Sequence, residues 1–204
     1  MGLLSSSVSI TRYKVDGKID EPLIENIAKG LKKYSINEID NDSYEKMVGW
    51  TSFGNPFQPD FNGSSFLIGT YLVFSLRIDK KTIPSKVVQK YFVIETVKRL
   101  KETGREFLSK NEKKMIKDHV MNLLYLKIPA TPNVYDIVWN YEDKRLWFFS
   151  NLKRANEELE TLFAKSFDLI LTSLFPFTIA NFTLGLSDTQ RDILAKLSDT
   201  KFSD

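Results

Sequence analysis

Apolar and polar positions along this chain switch between a period of two and a period near 3.6. Residues 7–15, "SVSITRYKV", alternate with β-branched content and predict a half-buried strand. Pro22 stands where a first helical turn tolerates proline, and Leu23, Ile24, Ile27, Ala28 and Leu31 then recur at helical spacing. Residues 46–53 read as a second strand. The loop "GNPFQPDFNGSS" follows, broken by Gly and Pro, and residues 65–78 form one long β-type run that Pro84 stops. Ser85–Thr103 has helical length, with Tyr91, Phe92, Val93 and Ile94 placing apolar groups nearly all round, so this helix is expected to be buried on more than one side or to meet a partner. A second helix begins near Ser109, where "SKNE" is a capping box, and shows an apolar face of Met115, Ile116, Val120, Leu123 and Leu124. Two strands over 134–141 and 145–150 flank the turn "EDK". A helix over 152–167 with Leu159, Leu162 and Phe163 inward, a strand over 169–182 broken by Pro176, and a short helix over 188–197 complete the pattern.

This order predicts an α+β fold: two βαβ-like halves forming a largely antiparallel sheet layer, with an inserted long helical hairpin. The expected division is a central unit of residues 1–84 and 127–182, a protruding hairpin or tip of 85–126, and a C-terminal helix and tail of 183–204. Composition adds only bounds. With 42% hydrophobic and 27% charged residues the chain has material for one continuous core. It has no cysteine, which excludes disulfides and thiolate metal sites and suits the cytoplasm. No signal peptide or membrane span is read, and no cofactor or membrane partner is expected.

Charge changes the picture more. The net charge is +3 overall, but it divides into −2 over residues 1–76, +8 over 77–127 and −3 over 128–204. At about 100° per residue, Lys110, Lys113, Lys114 and Lys117 fall within an arc of about 100° beside the apolar face of their helix. Lys80, Lys81, Lys86, Lys90, Lys98, Arg99, Lys101 and Arg105 complete the basic segment. Such a ridge suits a phosphate chain by counterion release, with backbone contact rather than base reading, because no helix-turn-helix, zinc or ribonucleoprotein signature accompanies it. The bland alternative is a solvated hairpin surface kept soluble by lysines.

Other chemistry is weaker. Pro59-Asp60 and Asp79-Lys80-Lys81 match the loose "PD … D-x-K" pattern of metal-dependent nucleases, but a strand of about 40 Å would separate the acids unless the Pro59 loop folds back. His119, the single histidine, has no evident triad or ligand partners and reads as a surface or packing residue. Glu157, Glu158 and Glu160 read as a solvated helix face, and no Walker or dinucleotide loop occurs. The aromatics of "WNY" (139–141) and "LWFF" (146–149) could stack bases, but on paired strands with apolar alternates they are assigned to the core.

With these elements in order, the chain resembles the bacterial recombination-associated protein family RdgC. The stretches that carry the resemblance are "SVSITRYKV", "MVGW" at 47–50, "LRIDKKTIPSKVVQK" at 76–90, "SKNEKKMIKDHVMNLL" and "ANEELETLFAKSF", in the family's order over roughly the first 180 residues. The resemblance implies a ring-shaped homodimer that encircles double-stranded DNA without strong sequence preference and restrains RecA-type strand exchange, acting on the recombinase indirectly through DNA. It implies a nucleoid-associated protein in the cytoplasm and places residues 85–126 as a projecting tip whose lysines face DNA. An exonuclease label attached to the family finds no catalytic constellation in these residues, so no enzyme is expected. Family members continue into a further domain that contributes to dimerisation and to the basic lining of the hole. Here only 181–204 remain, and "IPATP" at 128–132 replaces an aromatic-bearing junction. The expectation is therefore a short form, an open dimer or a monomer. Two other classes stay open: a protein-interaction or scaffold module docking through the helix around Tyr91–Ile94, and a metal-dependent nuclease.

Overall fold

Period-two alternation turns into one seven-stranded antiparallel sheet. The computed structural model describes residues 2–197. Its elements in chain order are β1 (Thr11–Asp16), α1 (Leu23–Lys33), β2 (Lys46–Thr51), β3 (Leu67–Ile68), β4 (Tyr71–Lys80), α2 (Ser85–Thr103), α3 (Lys110–Tyr125), β5 (Thr131–Asn140), β6 (Arg145–Phe148), α4 (Lys153–Phe167), β7 (Ile170–Ser173), α5 (Pro176–Thr183) and α6 (Asp188–Lys196). The strands lie in the order β2-β4-β5-β6-β1-β7, with β3 also paired to β4. The α+β class and the antiparallel layer are as the pattern predicts. β1 does not neighbour β2. It crosses to the other half and inserts between β6 and β7, in register Tyr13 to Leu146 and Tyr13 to Ser173.

One sheet face holds the core. Tyr13, Val15, Trp50, Leu72, Phe74, Leu76, Ile137, Trp139, Leu146 and Phe148 alternate inward and are buried under α1 and α4. The aromatics interlock there: Trp139 meets Phe163 at 5.0 Å and Phe167 at 5.5 Å between ring centroids, and Trp50 meets Phe74 edge-on at 5.3 Å. Each such pair adds about 1 kcal/mol beyond the area it buries. Trp50 is also tied to α4 by its Nε1–H, which donates to Ser166 Oγ at 2.8 Å. Gly30 makes the close approach of α1 to α4 feasible, because a Cβ there would stand 2.7 Å from the Ser166 carbonyl oxygen.

Two sequence readings need correction. Residues 65–78 are not one strand: Gly69 takes a φ of 62° and turns the chain back, so that β3 pairs with β4 in a tight hairpin, Ile68 opposite Tyr71. Residues 169–182 do not form one strand either. β7 ends at Ser173, and Pro176 opens α5, because proline lacks the N–H that a first helical turn leaves unpaired anyway.

α2 and α3 pack on each other. Ser109 Oγ accepts from the Glu112 N–H, and the Glu112 carboxylate accepts from the Ser109 N–H, which is the reciprocal box the sequence signalled. These bonds hold the Glu112 carboxyl below its usual range, helped by the charge of Arg105. α2 buries no residue, and Val93, Ile94 and Val97 remain exposed. The expectation that it is buried on more than one side does not hold within this chain, since only its α3-facing side is covered.

Candidate nucleic-acid interface

The helix pair leaves the sheet at the end of β4 and returns to it at the start of β5, so its placement depends on the residues at that junction. Lys81 is chief among them. It is 1% exposed, and its ammonium donates to the carbonyls of Asp40 (3.0 Å), Asp42 (2.8 Å) and Tyr125 (2.6 Å). Tyr125 is the last residue of α3, so the cation sits at the negative end of that helix. Asp40 also accepts from the Ala130 N–H at 2.7 Å, which closes the junction from the other side. Lys81 was expected among the DNA-binding cations. It is instead a buried anchor with its three donors committed, and cannot reach a phosphate.

The remaining cations separate by face. Lys110, Lys113, Lys114 and Lys117 are all exposed, and none has a carboxylate within ion-pair distance among the described residues. Lys117 borders a groove of about 480 Å³ whose apolar wall is Ile83, Val88, Phe92 and Met121. The arc predicted from helical spacing therefore stands on one flank of the pair. Lys98 and Arg99 line a groove of about 370 Å³ that they share with Glu95, Glu102, Glu112 and His119, where carboxylates balance them. Arg105 pairs with Glu112 at 3.1 Å. Lys86, Lys90 and Lys101 point away from α3 on the 100° rule, between the aliphatic side chains of α2, and Lys90 Nζ lies 5.7 Å from the Tyr91 ring centroid. Lys80, the last residue of β4, faces Lys46 across the strands and lines a separate groove of about 730 Å³ with Lys153 and Arg154. The structure thus brings together four of the twelve predicted cations and disperses the rest.

The acids of the nuclease pattern have other work. The loop after β2 does fold back over β4, but what it delivers is the Pro56 carbonyl and the Phe57 ring, both against Arg77. Asp79 is fully buried and accepts from Arg77 Nε at 2.7 Å and Nη2 at 2.6 Å, while Glu38 takes the same Nη2 at 2.9 Å. Burial opposes the charge on Arg77, but its bonds to Asp79 and Glu38 outweigh that and raise its pKa above the ordinary value. Asp60 caps its own loop, accepting from the Asn62 N–H, beside a pocket that Asp79 does not line. Among the described residues no three His, Asp or Glu side chains gather as metal ligands. Asp79→Ala should leave Arg77 with only the exposed Glu38 as its carboxylate partner and cost about 2 kcal/mol in urea unfolding. A variant as stable as the parent would show that the Arg77–Asp79 pair is not structural.

Period-two geometry also placed residues that charge counting overlooked. Lys81 directly follows β4, and period-two alternation carried one residue past the strand sets it on the side of Arg77 and Asp79, both buried; that alternation was the cue separating it from the exposed cations. The same geometry corrects the assignment of Trp147 to the core, placing it on the outer sheet face, partly buried, while Trp139 and Phe148 enter the core as assigned. No helix among the described residues is long and apolar enough to cross a membrane.

Compared with known proteins, the chain matches, over residues 9–181, the family model described as "Putative exonuclease, RdgC". The match spans every element from β1 to β7 and reaches into α5. No curated protein matches it.

Proposed function

Because this chain belongs to the RdgC family, with its role in DNA recombination, we propose that it binds double-stranded DNA through the α3 flank of the helix pair and restrains RecA-type strand exchange by occupying the duplex. The observation that carries this reading is the set of four exposed lysines, Lys110, Lys113, Lys114 and Lys117, on one face of a helix and, among the described residues, without an ion-pair partner. Each can release a condensed counterion on meeting a phosphate, whatever the base sequence. The flank holds no base-reading arrangement, so affinity depends on salt and not on sequence. The protein acts by binding, without chemistry: Asp79 is spent on Arg77, and Lys81 on three carbonyls. A salt titration of duplex binding, repeated with the four lysines neutralised, tests it.

A second reading has its own observation. Val93, Ile94 and Val97 lie exposed on the edge of α2 that faces away from α3, and an apolar edge of that kind suits a second copy or another protein. If that edge pairs two chains, sedimentation should depend on protein concentration, and Ile94→Glu should return the chain to a monomer. A chain that sediments as a monomer at all concentrations would remove this reading and leave the first intact.

A further inference from the structure

The sheet has a second face, and part of it is uncovered. We infer that the outer face of β4, β5, β6 and β1, around Arg12, Arg145, Trp147 and Tyr71, is a platform for single-stranded DNA, on which bases stack while the two arginines hold the backbone. The inference rests on the DNA-binding reading above but uses a different surface and a different form of DNA.

Register fixes the arrangement. Arg12 stands opposite Trp147, Lys14 opposite Arg145, Arg145 opposite Asn140, and Asn140 opposite Tyr71. All point away from the core residues Tyr13, Leu146 and Trp139 that alternate with them. The Tyr71 and Trp147 rings lie 6.2 Å apart between centroids, tilted by 58°, and both are open to solvent in part. At the far edge Phe182 of α5, 48% exposed, adds a third ring, 4.6 Å from Lys14 Nζ. Arg12 and Arg145 are exposed and have no ion-pair partner among the described residues.

The acids nearby are occupied. Asp16 takes Lys14 at 2.6 Å and Thr172 Oγ1 at 3.4 Å. Asp136 accepts from Ser75 Oγ and the Leu3 N–H, and Asp143 accepts from Asn140 Nδ2. Among the described strand residues of this face, what remains unmatched is positive charge and aromatic surface. From β4 to β1 the platform is about 14 Å wide, and a four-stranded sheet of that kind stacks about two or three bases. A duplex hides its base faces, so rings on a sheet gain stacking only from an unpaired strand.

The test uses the full chain with three labelled probes of equal length: a thymidine strand, an abasic sugar–phosphate strand, and a duplex. The thymidine strand is expected to bind about tenfold more tightly than the abasic one. Trp147→Leu, which keeps an apolar group against the sheet, should abolish that preference and leave duplex affinity unchanged. Arg12→Gln with Arg145→Gln, a surface variant that does not touch the core, should weaken both single strands alike and spare the duplex. An abasic strand bound as tightly as thymidine overturns the platform, as does a thymidine affinity untouched by both variants, or a duplex affinity that falls equally with Trp147→Leu. If neutralising the α3 lysines leaves duplex binding intact while the sheet variants still lose the thymidine strand, the helix-pair reading fails and the platform stands.

Discussion

Replacing Lys110, Lys113, Lys114 and Lys117 together by glutamine is expected to reduce the slope of log affinity for duplex DNA against log salt by about 3.6, that is about 0.9 for each phosphate no longer neutralised. Between 50 and 200 mM salt a slope of that size corresponds to about two powers of ten in affinity, so a single titration resolves it. The geometry gives the reason. All four lysines are exposed on one flank and, among the described residues, none has a carboxylate within ion-pair distance, so each can exchange a condensed counterion for a phosphate. The control is on the opposite flank, where Lys98→Gln with Arg99→Gln should matter much less, because Glu95, Glu102 and Glu112 share that groove and already repel a polyanion. Duplex bound with the parental slope by the quadruple variant would sink the helix-pair interface.

A comparably large effect, on stability instead of binding, is expected from Lys81→Met. The two side chains have similar length, so the change removes the charge and its donors with little change of volume. Three main-chain carbonyls, of Asp40, Asp42 and Tyr125, would then lose their partner in a site closed to water. Buried acceptors left alone, at the negative end of a helix, should lower the unfolding free energy by about 3–5 kcal/mol. The urea midpoint should fall with the slope of the transition unchanged, and amide exchange should accelerate at Ala130, whose N–H depends on the placement of Asp40. At a temperature where both proteins are folded, duplex affinity should be the same. Parental stability together with abolished DNA binding would return Lys81 to the DNA-facing surface and contradict the cage.

The opposite fates of Lys81 and Lys110 show where sequence reading succeeds and where it stops. Helical periodicity located α1, α3 and α4 to within a residue or two, because an amphipathic stripe and a capping box are local in sequence and local in space. The arc of four lysines was legible for the same reason: relative angle on a helix needs no tertiary information. The β3–β4 turn was missed although Gly69 marked it, since a glycine among β-branched and aromatic residues looks the same whether the strand passes through or reverses. Base stacking by "LWFF" was weighed and set aside for the core, and the pairing of Trp147 with Arg12 on the outer face was not legible because the two stand 135 residues apart in sequence and only strand pairing makes them neighbours.

The amino-acid sequence by itself determined the α+β class, the helix pair, the concentration of positive charge between β4 and β5, and the family to which the chain belongs. Each of these depends on spacing or order along the chain. Tertiary structure alone decided which cations are free. Asp79 meets Arg77, Lys81 meets three carbonyls, and Arg105 meets Glu112, whereas the α3 lysines are exposed and have no ion-pair partner among the described residues. A charge near a neutralising partner or shut away from solvent has little left to offer a phosphate, and that depends on distances through space that residue order does not contain.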